Sequence, residues 1–228
     1  MNYNFKQIGV VKSCFKGKFG TPRQPGITPT ATGYIELDDE YAKPEMISEL
    51  LLFSHIWIIF VFHETLNQGW KPTVRPPRLG GKKKMGIWAT RSNFRPNPIG
   101  MSVVKIEKIE YSITGKAKLY ISNHDIIENT PILDIKPYLP YADAITNART
   151  PFEKPNNKLE VTFKINTKKI PSEVINLISE VISQDPRPAF HSIEKEYHFE
   201  LNDYTISFIV ANNSLATVTN LEKIIFDH

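Results

Sequence analysis

Arginine, lysine and aromatic side chains set among prolines and glycines dominate the middle of the chain. Trp70-Lys71-Pro72-Thr73-Val74-Arg75-Pro76-Pro77-Arg78-Leu79-Gly80-Gly81 is followed by Gly86-Ile87-Trp88-Ala89-Thr90-Arg91-Ser92 and then by Phe94-Arg95-Pro96-Asn97-Pro98-Ile99-Gly100. Proline fixes the backbone from which these long cations reach, so less entropy is lost when they close on an anion. Guanidinium groups suit bidentate capture of carboxylate or phosphate, and aromatic faces suit stacking on bases. From Thr65 to Ile106 there is no Asp or Glu, whereas Lys71, Arg75, Arg78, Lys82, Lys83, Lys84, Arg91, Arg95 and Lys105 supply nine positive charges. The whole chain carries only +4, so the remainder, with 19 basic against 24 acidic residues, is net negative. That segregation, with Trp70, Trp88 and Phe94 interleaved, fits a polyanion that carries bases. On charge alone a non-catalytic RNA-binding module fits equally well.

Several catalytic patterns are absent. His63-Glu64-Thr65-Leu66-Asn67 begins like a zinc-protease helix, but Asn67 stands where the second histidine is needed, and the segment reads as strand. Gly81 to Gly86 has phosphate-loop glycine spacing, yet Ile87 stands in place of the lysine. With no G-x-G-x-x-G and no strand-helix alternation, a Rossmann-type nucleotide site is excluded. The lone Cys14 forms no internal disulfide and anchors no multi-thiolate zinc site, which suits a reducing cytoplasm. Met1 to Phe5 lacks the features of a secretion signal, and the longest apolar run, Ile56 to Phe62, is too short to span a bilayer. No metal and no membrane are expected.

The elements that position these residues read as mainly β. Strands are predicted at Gly9–Phe15, Thr32–Leu37, Ser54–His63 (buried on both faces), Met85–Thr90 and Thr130–Ile135, with a hairpin of Ser102–Glu110 and Ala117–Ser122 turning near Thr114-Gly115. A short helical pattern opens at Pro44 and runs to Leu52, and the segments Thr21–Gly26 and Lys71–Gly81 are stiff loops. Many closely spaced strands favour a sandwich or barrel over roughly the first 140 residues. A polar stretch from Asp143 to Lys158 reads as a linker. Beyond it, Leu159–Ile165, a helix over Pro171–Ser183 and a meander of Tyr197–Leu201, Tyr204–Ala211 and Leu215–Leu221 make a small α+β unit. The expected domains are 1–145 and 158–228.

In these stretches the sequence resembles the TsaA-like tRNA methyltransferases, whose bacterial members are called TrmO. The resemblance is carried in order by Ile8-Gly9-Val10-Val11, Pro22-Arg23-Gln24-Pro25-Gly26, Phe53-Ser54-His55-Ile56-Trp57, Phe60-Val61-Phe62-His63, Arg75-Pro76-Pro77-Arg78-Leu79-Gly80-Gly81, Ala89-Thr90-Arg91-Ser92, Phe94-Arg95-Pro96-Asn97-Pro98-Ile99-Gly100-Met101-Ser102, Asp134-Ile135-Lys136-Pro137-Tyr138 and Gln184-Asp185-Pro186-Arg187-Pro188-Ala189. It implies a β-barrel methyltransferase domain distinct from Rossmann enzymes, with a small α+β C-terminal domain for tRNA contact, working as a homodimer. It also implies S-adenosylmethionine as cofactor and methylation of the exocyclic nitrogen of N6-threonylcarbamoyladenosine beside the anticodon of tRNA. The same fold acting on another acceptor is the alternative.

The resemblance further implies a cofactor pocket of Arg23, Gln24, Pro25, His63, Glu64, Arg91, Met101, Ser102 and the turn containing Asp125, Glu128, Asn129, Thr130 and Pro131. Glu128-Asn129 stands where relatives have Asp-Gly, and Asn tolerates the left-handed backbone a glycine would use. Arg91 suits the cofactor carboxylate. The acceptor nitrogen still bears a proton, and Asp125, His63 and Tyr138, in that order, are the candidates to take it. Arg75, Arg78, Lys82, Lys83, Lys84 and Arg95 are expected to meet RNA, as is Arg187 from the second domain, whose alternative reach is to the active site, and Trp88 or Phe94 to stack on splayed bases.

Overall fold

The computed structural model describes residues 3–77, 81–111, 116–152, 158–187 and 195–225. Alternating apolar residues form six strands that close on themselves: β1 (Gly9–Ser13), β2 (Thr32–Leu37), β3 (His55–Val61), then, past the two-residue strands β4 (Thr73–Val74) and β5 (Met85–Gly86), β6 (Ile99–Tyr111), β7 (Ala117–Ser122) and β8 (Thr130–Pro137). The order around the barrel is β1-β2-β7-β6-β3-β8, every pair antiparallel, with β8 returning to β1. Closure removes the unpaired edges that an open sheet of this length would expose. Inward residues are nearly all aliphatic: Val11, Ile35, Ile56, Ile58, Val104, Leu119 and Ile132 are each fully buried. At this diameter side chains fill the interior, so any site must lie at the rim or outside.

Four local expectations are corrected. β3 is buried on one face only, with Ile56, Ile58 and Phe60 inside and the intervening residues half-exposed, because a barrel strand has an outside. It stops at Val61, and His63–Gln68 winds into a 3-10 helix instead of continuing the strand. The expected strand at Met85–Thr90 survives only as Met85–Gly86, after which Ile87–Ala89 forms a 3-10 turn. The helix expected from Pro44 to Leu52 is shorter, α1 (Pro44–Ile47), and Glu49, at φ 61, starts a separate 3-10 turn over Leu50–Leu52. The β6–β7 hairpin forms, with a bulge between Ile106 and Lys108. Its turn near Thr114-Gly115 lies outside the described residues.

After a short helix, α2 (Pro140–Asp143), comes a four-stranded sheet of order β10-β11-β12-β9, made of β9 (Glu160–Phe163), β10 (Glu196–Leu201), β11 (Tyr204–Ala211) and β12 (Leu215–Lys223). The last three form the expected meander, while β9 joins β12 in parallel. Between β9 and β10, α3 (Ser172–Ser183) buries Leu177, Ile178, Val181 and Ile182 against the sheet, the i, i+1, i+4, i+5 stripe of an amphipathic helix. This second core is aromatic where the first is aliphatic, with Tyr197, Phe199 and Phe208 at its centre. It also takes Cys14, Phe15 and Ala31 from beside β1 and β2. Phe15 bridges to Leu201, and the Asn202 N–H donates to the Cys14 carbonyl at 2.7 Å. Burial pushes the Cys14 thiol up to about 12, so it is an inert packing group. Among the described residues, no helix is long and apolar enough to cross a membrane.

Candidate active site

A cleft of about 2390 Å³ runs between the barrel rim and the second sheet. Single small-molecule pockets are commonly several hundred Å³, so this one has room for a nucleoside cofactor together with part of a polynucleotide. Four connections meet at it: the loop after β1, the 3-10 helix after β3, the proline-bounded segment around Arg91, and the turn before β8. They bring Arg23 and Gln24, His63 and Glu64, Arg91, and Asp125 with Thr130 onto one lining.

These side chains hold one another. Arg91 Nη1 donates to Gln24 Oε1 at 2.6 Å, the Gln24 amide turns back onto the Arg23 carbonyl, and Arg23 Nη2 donates to the Arg187 carbonyl at 3.2 Å. Asp125 accepts from Ser102 Oγ at 2.6 Å. Ser102 is 2% exposed and points into the barrel from β6, so it fixes the carboxyl from below. Burial raises the Asp125 pKa to about 6, against the opposing pull of Ser102 and Arg91. His63 contributes a buried Nδ1 with no hydrogen-bond partner. Leaving such an atom unpaired costs roughly 1–3 kcal/mol, which a ligand donor or acceptor would relieve.

The remaining expected pocket residues divide. Met101 is 50% exposed on the outer face of β6, and Pro25 borders a separate small depression of about 300 Å³. Glu128 turns toward β1, accepting the Ser13 N–H at 2.6 Å beside Lys12 and Lys16. Asn129 adopts φ 58, the left-handed conformation anticipated for it, and its side chain accepts from Lys12. Thr130 is fully buried with its hydroxyl on the Ile127 carbonyl, and Pro131 pairs with Val10 inside the barrel wall. Tyr138 is not brought to the cleft. It lines the small depression with His55, its N–H bonded to the His55 carbonyl and its ring against His55 and Trp57. Of the three candidate proton acceptors, Asp125 and His63 share the cleft and Tyr138 does not.

The cations expected to meet RNA also fall into different groups. Arg75 is exposed on the cleft lining, and Lys82, Lys83 and Lys84 are exposed beyond it. Arg95 spends its guanidinium on the carbonyls of Ile87 and Thr90 at 3.2 and 2.7 Å, and lies 5.2 Å from the centre of the Trp88 ring. Arg187 is 7% exposed and bound to Asp185 and Asn213, so its guanidinium is taken up within the protein. Arg78 lies outside the described residues. Trp88 is 73% exposed on the cleft lining, with Arg95 over its ring and most of its surface still open to stacking, whereas the Phe94 ring has both Lys71 at 4.2 Å and Lys18 at 5.9 Å over it. Sequence reasoning named Asp185 only as part of a family motif, and missed Asn213 and the segment Thr150–Phe152, which lines the cleft although its composition reads as linker. No spacing announces them, because only the docking of the two units puts them there.

Residues 10–144 match the tRNA-methyltransferase O N-terminal domain model and residues 156–224 the TrmO C-terminal domain model. The chain is 40% identical over 226 residues to the tRNA (adenine(37)-N6)-methyltransferase of Escherichia coli, covering 92% of this chain and 94% of that protein. It is 39% identical to the putative S-adenosylmethionine-dependent methyltransferase RcsF of Pseudomonas aeruginosa, covering 85% and 86% of the two. The crystal structure of TrmO from Pseudomonas aeruginosa superposes with a TM-score of 0.77 at 31% identity, over 97% of this chain and all of that one. With the barrel, the second sheet and the cleft between them all accounted for, this chain belongs to the tRNA-methyltransferase O family.

Proposed function

We propose that the chain is an S-adenosylmethionine-dependent methyltransferase acting on N6 of the adenosine beside the tRNA anticodon, with N6-threonylcarbamoyladenosine as the form it accepts. The observation that carries this is the convergence of Arg23, Gln24, His63, Arg91 and Asp125, from four separate connections, on a cleft large enough for cofactor and nucleotide. Relatives matched over nearly their whole length bear names stating adenine-37 N6 methylation and S-adenosylmethionine dependence. The donor set fits the cofactor. Arg91 is held by Gln24 at a position to meet a carboxylate, the unpartnered His63 Nδ1 can take up a polar ligand group, and Arg23 and Thr130 border the space between.

S-adenosylmethionine supplies an electrophilic methyl on a positively charged sulfur, which leaves as a neutral thioether. The protein's part is alignment and one proton. Holding nucleophile and methyl in line replaces a bimolecular encounter with a positioned one. As the N6–carbon bond forms, the N6 proton must leave, and Asp125 is the acceptor, oriented by Ser102. A carboxyl near 6 is ionised at neutral pH and more basic than an ordinary one, the compromise a general base needs. Trp88 offers its exposed face to a base unstacked from the anticodon loop, where little pairing has to be broken.

The division at 145 and 158 separates a catalytic barrel from a smaller unit that completes the cleft. Exposed Leu51 and Leu52, in a turn next to β6, give the barrel apolar side chains suited to a homodimer contact. The unpaired thiol of Cys14 suits the cytoplasm. The deciding experiment follows labelled methyl from S-adenosylmethionine into tRNA carrying threonylcarbamoyladenosine and into an unmodified transcript, with mass spectrometry of the nucleosides. Label confined to the modified tRNA, in its N6-methylated nucleoside, is the expected result. Label on neither, from folded protein that binds the cofactor, would show another acceptor.

A further inference from the structure

The loop that carries Arg23 and Gln24 belongs to the barrel by sequence and to the second unit by packing. At its start Phe19 lies among Tyr197, Phe199 and Phe208, with ring centroids 6.0 to 6.4 Å away. Gly20, at φ +89, lies against the same cluster, and a Cβ there would fall 2.4 Å from the Phe199 ring. At its far end the Thr30 N–H and hydroxyl both donate to Glu180 of α3, at 3.0 and 2.7 Å. Between these anchors the loop is held from the second unit at Arg23, through the Arg187 carbonyl.

Arg187 is itself immobilised. Its Nε and Nη2 donate to the two oxygens of Asp185 at 2.7 and 2.9 Å, and Nη2 reaches Asn213 at 3.1 Å. Asp185 adopts φ 51, a left-handed conformation uncommon for a residue other than glycine, and in it the carboxylate meets the guanidinium two residues on. A guanidinium bonded in this way, at 7% exposure, has little left to offer a phosphate. What it fixes is its own backbone, and through the carbonyl the side chain of Arg23. Arg23 adjoins Gln24, and Gln24 holds Arg91. A continuous set of hydrogen bonds thus runs from Asn213 and Asp185 to the cofactor-facing guanidinium.

We propose that Arg187, locked by Asp185 and Asn213, is a positioning residue for the cofactor loop, and that the second unit completes the S-adenosylmethionine pocket by this clamp instead of using Arg187 to contact tRNA. The proposal rests on the assignment of the cofactor to the Arg23, Gln24 and Arg91 wall. Calorimetric titration of S-adenosylmethionine into the full-length wild type, Arg187→Ala, Arg187→Lys and Asp185→Asn tests it, alongside the tRNA affinity of each without cofactor. Melting curves identify variants that have lost the fold, and Asp185→Asn, which keeps the side-chain shape and one of the two acceptors, carries the test if Arg187→Ala unfolds.

For Arg187→Ala, cofactor affinity is expected to fall about tenfold, the effect of freeing a loop held by a charge-assisted bond, with tRNA affinity unchanged. Asp185→Asn is expected to show a smaller fall of the same kind. Lysine at 187 is expected not to restore binding, since a point charge cannot span both Asp185 oxygens and Asn213. Loss of tRNA affinity with cofactor affinity intact, restoration by lysine, or no change in either would overturn the clamp. A wild type that binds no S-adenosylmethionine would instead overturn the cofactor assignment beneath it.

Discussion

The cleft wall and the lysine strip at 82–84 draw on the same acid-free stretch of sequence, yet they use charge in opposite ways. On the wall, Arg91 is tied to Gln24, and Arg95, off the lining itself, is tied to the carbonyls of Ile87 and Thr90 in the segment that carries Arg91. On the strip, Lys82, Lys83 and Lys84 stand exposed. The wall invests hydrogen bonds in orientation, which chemistry on one atom demands. The strip keeps exposed, solvated ammonium groups, which suffice to attract a phosphate backbone without selecting a sequence. Disturbing the wall should therefore change rate and cofactor affinity, and disturbing the strip should change only the electrostatics of tRNA association.

The sharpest break is expected at Asp125. If it accepts the N6 proton, Asp125→Asn lowers the methyl-transfer rate by roughly 10²–10⁴ with little change in tRNA affinity. In the wild type the single-turnover rate rises with pH through about 6 and levels above, following ionisation of this carboxyl. Stability must move the other way. The folded pKa is raised, so the ionised form is disfavoured by folding and stability falls as pH rises from about 4 to 6. Above that window Asp125→Asn should be more stable than wild type, by about 1–2 kcal/mol for a partly accessible group. A variant that loses rate while gaining melting temperature sets a catalytic cost apart from damage to the fold. A rate that is flat from pH 5 to 8 would remove Asp125 as the base.

Next in size is Arg91→Ala. If Arg91 holds the cofactor carboxylate, losing that charge-assisted bond should weaken S-adenosylmethionine binding by about tenfold to a hundredfold in calorimetric titration. tRNA binding measured without cofactor should stay near wild type. An unchanged cofactor titration would mean that Gln24 holds Arg91 for the wall's own structure, and the wall would then resemble Arg95 throughout.

How much of the molecule is legible in its sequence follows from the range of the interactions. Strands written as alternation, such as Thr32–Leu37 and Tyr204–Ala211, match the structure within a residue or two because the period is local. His63–Gln68 and Ile87–Ala89 read as strand and yet wind into 3-10 turns, because at the barrel rim the sheet pairing that would hold a strand has ended. At the site, the resemblance points to residues that do meet on the cleft, Arg23, Gln24, His63, Glu64, Arg91, Asp125 and Thr130. It gives no sign that Arg187 spends its charge on Asp185, a pairing that depends on a left-handed residue and on docking of the second sheet. Nor can composition separate Arg95 from Lys82, since both count as one positive charge until the carbonyls of Ile87 and Thr90 are in place.

The smallest effect is the one that tests the strip. Changing Lys82, Lys83 and Lys84 together to Ala should leave cofactor affinity and the single-turnover rate on saturating tRNA unchanged, because none of the three lines the cleft. tRNA affinity should fall, and its logarithmic dependence on salt should flatten by about 0.7 for each phosphate no longer neutralised on a single strand, or about 2 if all three lysines engage. The slope matters more than the affinity. An exposed lysine that releases a counterion changes the slope whichever base it passes, whereas a lysine reading one position changes affinity for one sequence and leaves other tRNAs untouched. A slope equal to wild type would make the strip a solvated face with no part in binding. RNA recognition by the barrel would then fall to Arg75 and Trp88 on the cleft itself, and the contrast between a wall built for orientation and a strip built for attraction would not survive.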